Sequence, residues 1–293
     1  CHPYVLKEIQ ATQNENRKEA IKDFDKALFS HVGFAMSNKI RTFWLGLTGS
    51  LLVKKPQSDF TGRYYQRITR FSSALAFLSD VVMGVLGGEL KRREMISGRL
   101  GDMLSNLYIA SSVLKMYHDK GRPEHDKEIV QWALEHCLYE TQMAADGVLK
   151  NFPIGWMGKL LRIVVFPLGL RLSPPSDKLS RKLARQLQEP QAMREELTHG
   201  AFKSESEASN LYKVDKALRL QLEMEPIVKK FSQALGKRAG NHQVVPFAKE
   251  ALDAGHITQD EYQLVLDAEE ARLEVINVDD FAPEEMKHHL SEN

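Results

Sequence analysis

The sequence lacks nearly everything that marks a catalytic or metal centre. It holds two cysteines, Cys1 and Cys137, far apart in the chain. Two thiols make no disulfide framework, suit a reducing compartment, and here belong to no Cys-x-x-Cys or Cys/His cluster with metal-ligand spacing. There is no Gly-rich phosphate loop, no Gly-x-Ser-x-Gly elbow and no His-Glu-x-x-His. No apolar run reaches the eighteen or so residues that span a bilayer. The opening Cys1-His2-Pro3 has no Met, basic n-region or apolar h-region, so it reads as a fragment or processed chain rather than a signal peptide. Strand signals are nearly absent; the one β-branched run, Ile163-Val164-Val165, lies inside a helix-like segment. A net charge of +1 gives no global attraction to nucleic acid.

What remains is ordinary globular material, 43% hydrophobic and 27% charged, enough to build a core. From Ile21, apolar residues recur at Phe24, Leu28, Val32 and Ala35 with Asp and Lys between them, which is helical spacing. Gly46, Gly49, Pro56 and Gly62 punctuate a loop. Further helices are expected over 63–93, 94–118 and 123–150, the last opened by Pro123. Asp177 or Ser176 is placed to cap a basic helix reaching Gln188. Pro190 is expected to start a short helix ended by Gly200, and further helices follow over 210–236, with a break expected at Pro226, then 246–254 and 258–275. Thr258-Gln259-Asp260-Glu261 is a capping box and Gly255 a stop before it. The expected fold is all-α, a four-helix-bundle-like region (1–150), an apolar and basic hairpin segment (151–205) and an acidic helical region of shorter helices (206–293).

Few side chains suggest chemistry. His118 sits at a helix end where it can meet carbonyls and the dipole, and His31 and His136 fall within helices as packing residues. Gly84, Gly87 and Gly88 follow no strand and are expected to serve close helix packing. Glu269-Glu270 belongs to a charged helix face. The segment that stands out is 150–189, which carries a net charge of +6 around an apolar strip. That strip, Trp156, Met157, Leu160, Leu161, Val164, Val165 and Phe166 with Lys159 and Arg162 among them, is too short and too charged to cross a bilayer. Two readings stay open: it lies in an interface with anionic lipid, or it closes the apolar end of the bundle. Residues 250–293 carry a net charge of −11 and offer the basic segment an internal partner.

Several ordered stretches resemble one family. They are Cys1-His2-Pro3-Tyr4; Phe24-Asp25-Lys26 with Phe29-Ser30-His31; Arg63-Tyr64-Tyr65-Gln66; Phe166-Pro167-Leu168-Gly169 with Pro175-Ser176-Asp177-Lys178-Leu179; and Ile276-Asn277-Val278-Asp279-Asp280-Phe281. Together they are similar to the C-terminal region of the large bacterial long-chain acyl-CoA dehydrogenases of β-oxidation. The resemblance implies a parent enzyme that uses FAD, a glutamate taking the α-proton of an acyl-CoA and the flavin the β-hydride. It places the glutamate and the flavin site ahead of Cys1, so no catalytic, cofactor-binding or metal residue is assigned here. The implied role is an accessory part of a cytoplasmic enzyme, peripheral on the inner face of the cell membrane. Its expected partners are the rest of the dehydrogenase chain, an anionic membrane surface and a second copy, with no nucleic acid. The alternative is a freestanding, non-catalytic helical interaction module.

Overall fold

The computed structural model describes residues 3–188, 192–202, 204–237, 240 and 243–278, and every regular element among them is a helix. The chain divides into two compact units, residues 1–183 and 184–293. Cys1, His2, Pro190 and the acidic tail from 279 onward lie outside the described residues.

The first unit opens with α1 (Pro3–Thr12) and α2 (Arg17–Leu47). The side chain of Asn16 accepts from Lys18 N at 3.2 Å and starts α2 a turn before the apolar periodicity begins at Ile21. A loop leads to α3 (Gly62–Leu86), whose first turn holds that loop in place. Arg63 donates to Gly49 O at 2.6 Å, and buried Gln66 donates to Val53 O at 2.6 Å. The expected helix over 63–93 is shorter, because Gly87 takes φ 53° and the chain continues as a 3₁₀ turn to Arg92. A Cβ on Gly84, Gly87 or Gly88 would meet nothing within 4 Å. Gly87 therefore ends the helix, and none of the three is needed for close packing.

Next come α4 (Glu94–Asp119), α5 (Lys127–Lys150) and α6 (Gly155–Val165). Pro123 begins a single 3₁₀ turn, and α5 proper follows it. Phe71, Leu78, Val82, Met103, Leu107, Leu114, Leu134, Leu138 and Val148 make one core across α3, α4 and α5. The stretch Gly62–Arg92 is long and apolar enough to cross a bilayer by length and composition, contrary to the sequence reading. Here its apolar residues Phe71, Ala74, Phe77, Leu78 and Val82 are buried against neighbouring helices. Ser176 caps α7 (Asp177–Gln188), its Oγ accepting from Leu179 N, and Trp132 of α5 donates to Ser180 at 3.0 Å.

In the second unit α8 (Ala192–Leu197) is followed by α9 (Asn210–Leu235), α10 (Val244–Asp253) and α11 (Gln259–Ile276). Helix α9 runs unbroken through Pro226, where a break was expected. Met224, Ile227 and Phe231 on either side of that proline share one core with Ala248, Ala251, Val265 and Ala268. Tertiary packing outweighs the hydrogen bond that proline removes. The capping box forms as expected: Glu261 N donates to Thr258 Oγ1 and Thr258 N to Glu261 Oε2.

Candidate functional site

Helix α6 divides the apolar strip into two faces. It lies close against the end of α5, where a Cβ on Gly158 would meet Leu149 O at 2.6 Å, so only glycine fits. Leu161, Val164, Val165 and Phe166 are buried in the core of the first unit, with Met157 packed partly against it. Arg162 turns back to the buried carboxylate of Asp146, which Lys150 also meets at 2.8 Å. In this 11-residue helix the 3.6-residue period puts Leu161, Val164 and Val165 on the inner side. Trp156 is 70% exposed and Leu160 55%, with Lys159 exposed beside them. Ile163, 59% exposed, completes that outer face and was missed by sequence reasoning. Its signal was the i, i+4, i+7 spacing from Trp156.

A second exposed apolar surface is larger. Helix α2 has 31 residues, so it is about 46 Å long. Val32, Met36, Ile40 and Trp44 follow one another at intervals of four and are each about half exposed, with Phe29 74% exposed beside them. Helices α1, α3 and α6 pack against α2, and the ridge stays about half exposed. Periodicity located the helix, and of its recurring apolar residues Leu28 and Val32 are exposed.

His31 and His136 pack against neighbouring side chains. His31 lies between Glu8 at 3.0 Å and Asp80 at 3.5 Å, tying α1 and α3 to α2, with the ring of Tyr4 stacked on it. His136 stacks on Trp132, and His118 stands exposed beside Asp119 at the end of α4. Glu269 is held by Arg272 on α11. Cys137 is buried and reduced, and burial pushes its thiol above the ordinary range, away from the reactive thiolate.

The family described as acyl-CoA dehydrogenase, C-terminal, bacterial type, matches residues 1–281. The chain belongs to this family. No solved structure matches it. Acyl-CoA dehydrogenases carry FAD in the parent enzyme. The cleft between α1 and α2 (Tyr4, Lys7, Gln10, Asn14, Asp23, Lys26) and the one beside Arg67 and Arg171 are lined mainly by polar and charged side chains. Neither has the apolar wall against which an isoalloxazine ring would lie.

Proposed function

We propose that this chain is the non-catalytic accessory part of an FAD-dependent acyl-CoA dehydrogenase that oxidises long-chain acyl-CoA to trans-2-enoyl-CoA in fatty-acid β-oxidation. Its role is to support assembly of that enzyme. The observation that carries this reading is the apolar ridge of α2, Val32, Met36, Ile40 and Trp44, which stays about half exposed in the first unit. A ridge of this length is costly to leave in water and marks a contact surface. Its occupant in this reading is the dehydrogenase portion of the parent enzyme, the partner that membership of a C-terminal domain family implies. A second copy of the chain is the competing occupant. The test is V32E/M36E/I40E in the whole dehydrogenase, read by the temperature at which flavin fluorescence is released. Release at least 5 °C earlier, with the helical content of the isolated chain unchanged, supports the reading. Unchanged release sinks it, and a halved mass with unchanged release points to the second copy instead.

A second role, peripheral contact with the cytoplasmic face of the membrane, is favoured by the outer face of α6. Trp156, Leu160 and Ile163 stand out together with Lys159 among them, the arrangement of an interfacial helix. Since Leu161 is buried, the informative variant is W156D/L160D, which alters solvent-facing residues alone. Its expected effect is loss of co-sedimentation with anionic vesicles and none on stability. Undiminished sedimentation removes the membrane role. Binding to a protein without lipid favours a helical interaction module, since a lipid contact of this kind weakens with salt.

A further inference from the structure

Helix α3 gathers positive charge on one side of the first unit. Arg63, Arg67 and Arg70 recur at i, i+4 and i+7, one helix face about 10 Å long. A fourth arginine arrives from the loop after α6. Gln142, buried in α5, accepts from both Arg171 N and Leu172 N at 3.0 Å and donates to Leu172 O at 3.0 Å. Three hydrogen bonds from one side chain thus pin the loop that carries Arg171. Arg67 and Arg171 line a cleft of about 300 Å³ with Gln131, Glu135, Ser173 and Ser176.

None of the four arginines forms an ion pair among the described residues. Two have other partners. Arg63 donates to Gly49 O just beyond the end of α2, and Arg70 to Val165 O at the end of α6. Arg70 thus meets the negative pole of α6. Arg70 is nonetheless costly to keep charged: burial, then Arg63, Arg171 and Arg67, bring it down to about 10. Arg67 and Arg171 have no helix end to serve. Arg67 lies 5.7 Å from the Tyr64 ring. The one carboxylate lining the cleft, Glu135, accepts from neutral groups, Tyr64 OH at 3.3 Å and Gln131 at 2.9 Å. Two guanidinium groups line the cleft against a single carboxylate, and Arg63 and Arg70 lie close enough to add to its positive field. The forked geometry of arginine matches a phosphoryl group, and two hydroxyls and an amide stand at the same rim.

We infer that the cleft between α3, α5 and the loop at Arg171 binds a phosphoryl anion, with Arg67 and Arg171 as its direct ligands. Arg63 and Arg70 supply the surrounding field. The group is carried either by a soluble phosphate compound or by the headgroup of an anionic lipid; both present the same oxygens.

The test is calorimetric titration of the whole chain with inorganic pyrophosphate, at ionic strength held constant with sodium chloride. Saturable binding is expected, weakened at least tenfold in R67Q and in R171Q. E135Q, which removes the opposing carboxylate, binds several-fold tighter. A circular-dichroism melt of each variant excludes misfolding as the cause of weak binding. Phosphatidylcholine vesicles with one part in five phosphatidic acid separate the sources. Vesicle binding displaced by pyrophosphate identifies a lipid headgroup, and pyrophosphate binding without vesicle binding identifies a soluble phosphate. Heats no larger than those of sodium chloride with no vesicle binding, or equal affinity in wild type, R67Q and R171Q, overturn the inference.

Discussion

The two units of this chain are held together in different ways. All the buried polar and charged side chains among the described residues, including Gln66, Arg70, Asp126, Thr141, Gln142 and Asp146, belong to the first unit. Each of these long side chains fixes something: Gln66 and Gln142 fasten loops to helices, and Asp146 receives Lys150 and Arg162. The second unit has a small core of Met224, Ile227, Phe231, Val265 and several alanines. Several of its ion pairs lie toward the surface, as in Lys230–Glu261 and Lys237–Glu250. A core able to satisfy interior polar groups can position loops and build a site. A core of small apolar residues with surface pairs yields a packed support, since exposed pairs contribute little.

The sharpest way to separate the units is Phe231→Ala. Phe231 is fully buried in the smaller core, and its truncation costs about 3 to 5 kcal/mol. Urea unfolding followed by circular dichroism should show the second unit melting early while the first holds its midpoint. A single transition shifted as a whole would break the comparison.

Gln142→Leu tests the opposite unit. It leaves Arg171 N, Leu172 N and Leu172 O without partners, a loss of roughly 2 to 3 kcal/mol. The expected shift is confined to the first unit's transition, accompanied by faster hydrogen exchange at Arg171 and Leu172.

The smallest effect is in pH. The Lys230 ammonium, then the backbone at Thr258, holds the Glu261 carboxyl below its ordinary value of 4.5. Its contribution is therefore present above that value and lost as pH falls through the lower folded one. The second unit should weaken in acid below about pH 4.5, and Glu261→Gln should flatten that slope. Equal acid sensitivity of wild type and variant would remove the surface pair from the account.

Much of this architecture was legible in the residues because helical signals are local. Thr258 and Glu261 announce their capping box through side chains three positions apart, and Pro174-Pro175-Ser176 announces the start of α7. Family membership was legible too, through ordered short stretches spread over the chain. The candidate surfaces were less so. Of the strip from Trp156 to Phe166, Leu161, Val164, Val165 and Phe166 went inward, and Ile163 stayed out without having been singled out. Periodicity gives a face and not the side on which a neighbour sits.

By itself, then, the sequence determined that this chain is helical, where most helices start and stop, and which family it belongs to. Capping, proline and the 3.6-residue repeat act within a few residues of one another. Only the tertiary structure decided that α2 keeps its ridge of Val32, Met36, Ile40 and Trp44 exposed, that α9 runs through Pro226, and that Arg171 arrives beside Arg67. Those outcomes depend on contacts between residues far apart in the chain, as when Gln142 holds Arg171 N and Leu172 N. No local pattern encodes such partners, because their meeting depends on how whole helices pack.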